Sequence, residues 1–453
     1  MNLLKISWKY LTFRPLSTGL NVFLLALGLA IITVLLLIQD QVEKKMNQDA
    51  AGIDLVVGAK GSPLQLILSS VYHIDFPTGN IKMNEAQRLA KNRLVKKVIP
   101  LALGDNYQGY RIIGTNHDYL KLYGVTFSSG KAWDVPFEVV IGAQIAAKTG
   151  LKLGDEFTSS HGISEGSHDH DLHHFVVAGI LAPQGNVVDR LVLTSIESVW
   201  YTHDEESDST GTVSDSDGDS TAVAEGQSPD STDLAAGSLT DSEVHDDPSE
   251  QHDEHDKFHL PVAKTGFPAS VQEREVTTVL LQFRNPMAAI QLPRMINSGT
   301  SMQAASPSFE MSRLFELLGV GISLLQGLAV VLIMVAGLGI FIALYNSLKE
   351  RKYDLAILRA IGASRMQLLT LIFLEGLMLT FFGAVLGIGL GHSFLWLLVK
   401  VSDQAIVSTI QPWIFLEQEL WIIAYALGVG LIASMIPAWS AYQTSIAKQL
   451  TKA

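Results

Sequence analysis

The side chains best suited to chemistry in this sequence are histidines that lie close together beside aspartates. Imidazole is a good ligand for Zn²⁺, Cu²⁺ and Ni²⁺, and the chain has no cysteine that would compete with it. A solvated polar loop whose histidines bind nothing explains the same composition, so both interpretations stay open. The histidines that could bind Zn²⁺ are His161, His168, His170, His173 and His174.

No other pattern in the sequence indicates catalysis. There is no Gly-x-x-x-x-Gly-Lys-Ser/Thr loop of the kind that holds ATP phosphates, and no nucleophile can be paired with a base. Residues 58–63 combine glycines with a lysine, but their spacing indicates a turn. We therefore expect a protein that is not an enzyme, has no catalytic residues and binds no cofactor directly, apart from possible Zn²⁺.

Long apolar runs dominate both ends of the chain, which is 48% hydrophobic and only 17% charged. A helix needs about 20 mostly apolar residues to cross a bilayer. The first run is too long for a signal peptide and no small-residue cleavage site follows it, so we expect a retained anchor. The predicted transmembrane helices are residues 17–38, 317–345, 368–399 and 420–440.

The third run contains ionisable residues and regularly spaced glycines. Charged groups inside a membrane usually face protein or water, so Glu375 is expected to join helices, and His392 lies in the same run. Glycines four residues apart allow helices to approach closely. We expect this face to pack first against a second copy and otherwise within the chain. Its predicted packing residues are Glu375, Gly376, Gly383, Gly387 and Gly391.

Lysine and arginine are concentrated in residues 1–16, 346–367 and 441–453, whereas residues 400–419 carry three acids and one lysine. Short basic flanks remain in the cytoplasm. Both termini are therefore predicted to be cytoplasmic, with residues 39–312 and the loop 400–419 on the other side of the membrane. The segment 1–16 is amphipathic, and the segment 441–453 is a short tail.

The segment 39–312 mixes strand-like and helix-like runs. The predicted fold is a membrane α-helical protein with four transmembrane helices and a large α+β extracytoplasmic domain inserted between helices 1 and 2. Helices are expected at 84–93 and 144–149. Strands are expected at 53–57, 95–101, 110–114, 137–141, 175–181, 190–194 and 276–283.

An acidic insertion, 204–256, interrupts this domain. Residues 203–257 hold 18 Asp or Glu and one Lys, so the net charge of −13 becomes +4 without them. The chain as a whole therefore gives no indication of nucleic-acid binding. A segment rich in Ser, Asp, Glu and Gly without aromatic residues cannot bury enough apolar surface to fold, and we expect disorder there.

Residues 346–367 are predicted to form a cytoplasmic loop that contains a short amphipathic helix at 353–361. Leu355, Leu358 and Ile361 fall on one stripe of that helix, and Gly362 would end it. An apolar stripe on a short helix suits docking onto a soluble partner. A solvated basic loop is the alternative.

Residues 350–391 resemble the signature of the FtsX-like permease family, which includes MacB-type and LolC/LolE-type permeases. The family pattern is a charged run, Ile-Leu-Arg-Ala-hydrophobic-Gly-Ala-Ser at 357–364, and Glu-Gly at 375–376 followed by spaced glycines. Residues 430–439 are similar to the family's closing motif, and residues 140–155 and 176–181 resemble parts of its outer domain.

This resemblance implies an ABC transporter permease in the bacterial inner membrane, with its large domain in the periplasm, paired with a second permease copy or paralogue. It also implies that a separate cytoplasmic ATPase subunit binds ATP and moves the outer domain through a coupling helix. The segment 1–16 looks like the family's interfacial helix. The coupling-helix residues carried over are Tyr353, Asp354, Leu355, Ile357, Leu358, Arg359, Ala360, Ile361 and Gly362.

The leading hypothesis is therefore mechanotransmission, in which ATP hydrolysis by the partner drives export or the handling of a lipoprotein, lipid, peptide or drug. The alternatives are zinc-related transport or binding through the histidines, and FtsX-like control of a cell-wall hydrolase. Besides the ATPase and a second permease, the expected partners are membrane lipids and a periplasmic or outer-membrane protein. Nucleic acid is not expected.

Overall fold

The computed structural model of the chain describes residues 3–13, 15–160, 169–209, 262–268, 274–402 and 410–443. These residues form two compact units. The membrane unit comprises Met1–Gln48 and Met311–Ala453, and the inserted domain comprises Asp49–Glu310. Each unit has hydrophobic clusters of its own and is described separately.

The described residues contain both long and short helices. In chain order they are α1 (Leu3–Phe13), α2 (Pro15–Asp49), α3 (Pro63–Ser70), α4 (Met83–Ala90), α5 (His117–Leu122), α6 (Ala143–Thr149), α7 (Ile196–Ser209), α8 (Ala288–Gly299), α9 (Pro307–Glu350), α10 (Lys352–Ala360), α11 (Arg365–Val401) and α12 (Gln418–Tyr442). A short 3₁₀ helix spans Val187–Arg190.

Four of these helices, α2, α9, α11 and α12, are long and apolar enough to cross a membrane. A helix suits that environment because it bonds its backbone N–H and C=O groups within the segment. Proline begins both α2 and α9, at the position where its missing N–H costs no helical bond. The four predicted spans each lie within one of these helices, which are longer than the spans.

The inserted domain is built on one large mixed sheet. Its strands are β1 (Leu55–Ala59), β2 (Ile81–Lys82), β3 (Val95–Tyr107), β4 (Tyr110–Thr115), β5 (Phe127–Gly130), β6 (Glu138–Ile141), β7 (Glu156–Ser160), β8 (Asp169–Leu181), β9 (Val192–Ser195), β10 (Glu275–Val276), β11 (Thr278–Phe283) and β12 (Met302–Ala305). The sheet order is β12-β1-β11-β3-β4-β9-β6-β8-β5, with β7 pairing β3 and β8. β2 and β10 form a separate pair.

Two apolar clusters hold this domain together. One packs α4, α7 and α8 against β1, β3 and β11, and the other packs α6 against the half of the sheet that contains β6, β8 and β9. Parallel pairing occurs between β4 and β9 and between β6 and β8, while the other pairs are antiparallel. The predicted fold class, four membrane-length helices with an α+β domain between the first and second, is confirmed.

The structure corrects the sequence prediction in two places. The predicted disordered insertion 204–256 begins inside α7, because the helix continues to Ser209. Its first turns are anchored by buried Val199 and Trp200, and each further residue adds a hydrogen bond to a helix already formed. Residues 210–256 lie outside the described part of the chain. The sequence prediction also missed the short or polar strands β2, β5, β7 and β12.

Candidate functional site

The short helix predicted at 353–361 is present as α10, and its C-terminus has a well-defined cap. Gly362 adopts a left-handed φ of 111°, which glycine accepts without a Cβ clash. The Ala363 N–H donates to the Leu358 carbonyl at 2.9 Å and the Gly362 N–H donates to the Arg359 carbonyl at 3.0 Å. This pattern is a Schellman motif. Ser364 then begins α11 with a capping box.

α10 has one face against the membrane unit and one face open. Leu355 and Ala356 are buried, and Leu355 packs in a cluster with the ends of α9, α11 and α12. Tyr353, Ile357 and Ile361 are exposed, and Ile361 is 80% exposed. We call these three side chains the α10 patch. Exposed apolar side chains grouped on one helix mark an interaction site.

The stripe predicted from the sequence is therefore not the free face. Leu355 and Leu358 pack on the cluster formed by α9, α11 and α12, and only Ile361 of that stripe is open. The helix is short and apolar on both sides, so periodicity could not indicate which side the rest of the chain covers.

Arg351, which immediately precedes α10, contacts two other helices. Its Nη1 lies 3.6 Å from Glu375 Oε1 on α11. Its Nη2 donates to the Tyr10 carbonyl on α1 at 3.1 Å, and its guanidinium lies 4.0 Å from the centre of the Tyr10 ring. Glu375 on α11 thus contacts the residue that precedes α10. The sequence did not predict Arg351 as the partner of Glu375, or Tyr10 as a contact of Arg351.

The glycine face of α11 contacts α2. A Cβ placed on Gly383 would lie 2.6 Å from Leu25, one on Gly387 would lie 2.8 Å from the Ala26 carbonyl, and one on Gly391 would lie 2.9 Å from Thr33. These glycines let two helix backbones approach closely within one chain. Within the chain this face therefore packs against α2, and packing against a second copy stays a prediction.

Gly376 belongs to a second close contact. A Cβ at this position would lie 2.9 Å from Ser434 and 3.1 Å from the Gly430 carbonyl, both on α12. The predicted packing residues therefore separate into two groups: Gly376 packs against α12, and the three later glycines pack against α2.

The far end of α11 carries a polar cluster that the sequence did not predict. His392 Nδ1 donates to the Pro412 carbonyl at 2.6 Å, and its Nε2 lies 3.2 Å from Glu419 Oε2. The Leu416 N–H donates to Glu419 Oε1 at 3.1 Å. The two ring faces near His392 are Trp413 and Phe415. These contacts hold residues 410–417 against α11 and α12.

The predicted zinc-binding histidines fall at the edge of the described chain. His161 and His168 lie outside the described residues, while His170, His173 and His174 belong to β8. The three therefore lie in a strand and not in a polar loop, and His174 pairs with Thr158 of β7. Among the described residues, no group of three or more His, Asp or Glu is arranged to hold a metal. Zinc binding stays a prediction.

The inserted domain contains a buried histidine with an unusual backbone. His73 follows α3 and has a φ of 55°, a left-handed conformation that is uncommon outside glycine. Its Nε2 shares a 3.2 Å hydrogen bond with the Tyr119 hydroxyl. Burial, and then the nearby Arg190 and Arg111, lower the pKa of His73 to about 3.

We expect this histidine to make the inserted domain sensitive to acid. Unfolding returns the pKa of His73 to roughly 6.5, so its contribution to stability is complete above that pH and is lost as the pH falls toward 3. The slope approaches about 1.4 kcal/mol per pH unit within that window. Urea unfolding of the full chain in detergent, followed by hydrogen exchange in β3 and β4, measures it.

The control for this prediction is His73→Asn, since asparagine tolerates a left-handed backbone and does not titrate. Its stability should fall less steeply than that of the wild type between about pH 6 and pH 4. Parallel curves for the two proteins would show that His73 does not set the acid sensitivity.

Two family models match the chain. The model described as MacB-like periplasmic core domain matches residues 18–241, and the model described as FtsX-like permease C-terminal matches residues 327–446. The first match covers most of α2 and much of the inserted domain. The second covers α10, α11 and α12.

Curated relatives match over shorter regions. An uncharacterized ABC transporter permease of Methanocaldococcus jannaschii is 27% identical over 125 residues, which are 28% of this chain and 31% of the relative. The uncharacterized ABC transporter permease YknZ of Bacillus subtilis is 28% identical over 119 residues, which are 26% of this chain and 28% of the relative. The match thus spans less than a third of each relative's length.

Two solved structures resemble part of the chain. The periplasmic region of MacB from Actinobacillus actinomycetemcomitans has a TM-score of 0.32 at 11% identity, covering 60% of this chain and 97% of that one. The extracellular domain of the noncanonic ABC-type transporter YknZ from Gram-positive bacteria has a TM-score of 0.27 at 12% identity, covering 56% and 99%. At these TM-scores neither likeness carries a conclusion.

The two family-model matches cover separate parts of the chain, one running from α2 through much of the inserted domain and the other covering the last membrane helices. Together with four helices of membrane-spanning length, they establish that this chain belongs to the MacB/FtsX-type family of ABC transporter permeases.

Proposed function

We propose that this permease converts ATP hydrolysis by a separate cytoplasmic ABC ATPase into movement of its inserted domain. The observation that carries the proposal is the α10 patch. α10 is anchored on one side by Leu355 and Ala356, yet it leaves three apolar side chains open on the other. A helix held firmly at its base is suited to receive force from a docked protein.

The charge pattern supports a cytoplasmic position for α10. Lysine and arginine are concentrated beside it and at both ends of the chain. With this orientation, the inserted domain lies outside the cytoplasmic membrane, where its movement acts on a substrate in or beyond the outer leaflet. Lipoproteins, lipids, peptides and drugs are the substrate classes that we propose, and a second permease chain completes the assembly.

The test is capture of a cognate ABC ATPase subunit, co-expressed with the permease, by the wild type and by the variant Ile361→Asp. An aspartate in the centre of an apolar contact introduces a charge that must be desolvated. We expect ATPase affinity to fall by at least about tenfold, with a matching loss of permease-dependent ATP hydrolysis. The affinity is measured by pull-down from detergent and by titration in nanodiscs.

The matched control is Ile290→Asp on α8 of the inserted domain. Ile290 is 71% exposed, so the chemical change is the same and neither substitution disturbs a core. Ile290→Asp should bind the ATPase as the wild type does. If the wild type binds no ATPase, the proposed function fails; if Ile361→Asp binds normally, the α10 patch is not the docking surface.

A further inference from the structure

One arginine in the membrane unit contacts side chains or backbone of three helices. Arg351 connects the start of α10 to α1 through Tyr10 and to α11 through Glu375. The side chains of Arg351 and Glu375 are only 13% and 5% exposed. Charged groups removed from water to this extent depend on each other, because neither can recover its hydration in place.

α10 also packs on the membrane unit through apolar side chains. Leu355 and Leu358 belong to a cluster that includes Leu348, Leu371 and Ala438. Close packing of these side chains holds α10 against the bundle. The planar guanidinium of Arg351 adds a directional contact, because it faces a ring, a carbonyl and a carboxylate at once.

From α11 the contact continues to α2, and at three positions α11 contributes no side chain to it. Gly383, Gly387 and Gly391 place the α11 backbone directly on α2, at Leu25, Ala26 and Thr33. Close-packed contacts of this kind transmit displacement because no gap is available to absorb it. α2 ends at Asp49, the first residue of the inserted domain.

We propose that Arg351 is the positioning residue that makes α10, α1 and α11 move as one body. Force received by α10 then enters α11 through the Arg351–Glu375 pair and reaches α2 across the glycine face. This inference rests on the proposed function, since it assumes that a partner acts on α10. The proposed function requires only that α10 passes force to α9, to which it is joined by the chain. The inference adds a second route, from α10 through α11 to α2.

The first measurement needs no ATPase. Hydrogen exchange of the full chain in nanodiscs is compared for the wild type, Arg351→Gln and Glu375→Gln. Both variants should increase exchange in α1 and α10 by about tenfold, while α12 stays as in the wild type. The control Lys352→Gln removes a neighbouring cation from the same turn and should leave exchange unchanged. If both variants exchange hydrogen in α1 and α10 at the same rate as the wild type, the inference is overturned.

The second measurement adds the ATPase and records the ATP-dependent change in exchange at the end of α2. Arg351→Gln and Glu375→Gln should bind the ATPase within about twofold of the wild type but lose most of the ATP-dependent change at α2. The charge-reversed pair Arg351→Glu with Glu375→Arg should restore part of it. If the Arg351–Glu375 pair only stabilised the fold, its loss would not reduce the ATP-dependent change at α2 while leaving ATPase binding intact.

The outcomes of the second measurement are distinguishable. If the wild type responds to ATP and the two variants respond equally, Arg351 does not transmit the movement and the inference fails alone. If the variants lose ATPase binding as well, the pair only shapes the docking helix, which also contradicts the inference. If the wild type neither binds the ATPase nor responds, the proposed function fails, and the exchange in α1 and α10 still decides whether Arg351 joins these helices.

Discussion

Gly387→Ala is expected to destabilise the membrane unit and to uncouple α2 from α11. The added Cβ would lie 2.8 Å from the Ala26 carbonyl oxygen and 2.8 Å from Leu29 Cβ. A backbone oxygen cannot move aside without moving its helix, so α2 and α11 must separate. Overpacking of this kind costs about 1–3 kcal/mol, and the lost contact also weakens neighbouring packing along both helices.

Gly389 provides the matched control for this substitution. It lies two residues away on the same helix, and a Cβ placed on it would have no atom within 4 Å. Unfolding in mixed detergent micelles should show that Gly387→Ala is less stable than the wild type and that Gly389→Ala is not. Equal stability of the two variants would mean that α2 does not pack on Gly387.

Arg190→Leu is expected to destabilise the inserted domain strongly. Arg190 Nη2 lies 3.5 Å from Asp49 Oδ2 and donates to the Tyr72 carbonyl at 3.1 Å. Both charged side chains are buried. Removing one partner of a buried ion pair leaves the other charge without its counter-ion, which typically costs about 3–5 kcal/mol. Hydrogen exchange in β9, which follows Arg190, measures the loss.

A double substitution separates the charge effect from lost packing. Asp49→Leu combined with Arg190→Leu removes both charges and should recover much of the stability that Arg190→Leu loses, because an apolar pair needs no counter-ion. Arg93→Leu, at an exposed arginine of the same domain, should have little effect. If Arg190→Leu behaves like Arg93→Leu, the ion pair with Asp49 contributes no net stability.

Hydropathy and positional signals predicted the membrane helices and most of the inserted domain. The runs at 95–101 and 110–114 became β3 and β4, and the run at 144–149 became α6. Each of these elements places Val, Ile or Leu in the core, so its apolar pattern reflects burial. β5 has no such pattern, since all four of its residues are exposed. It forms because it pairs with β8 at the sheet edge, which local sequence does not encode.

The candidate site was predicted in outline but not in its contacts. The sequence indicated that Glu375 faces protein and that Gly362 ends the coupling helix. It did not identify Arg351, although a carboxylate in an apolar run requires a partner and the basic segment beside it offered several. Choosing among those cations depends on where the helices lie in space. The same holds for the α10 patch, since two apolar faces compete and only tertiary packing decides between them.

His73 and the pair of His392 with Glu419 show a second limit. Each depends on groups that are distant in sequence, such as the Tyr119 hydroxyl for His73 and the Pro412 carbonyl for His392. A single histidine in an apolar or irregular segment gives no indication of its partners. The five histidines proposed for zinc are close in sequence, but three enter the extended strand β8 and His161 and His168 lie outside the described residues, so zinc binding stays a prediction.

The chain enters and leaves the inserted domain on neighbouring strands. β1 and β12 pair antiparallel, with Val56 opposite Ala305 and Ala59 opposite Met302. Opposed residues in such a pair are about 5 Å apart, so the first and last strands of the domain bring its two ends together. A segment with adjacent ends can be exchanged as one piece of gene without changing the spacing of the flanking helices. Recombination can thus give a permease of this design a different inserted domain while its membrane helices stay the same.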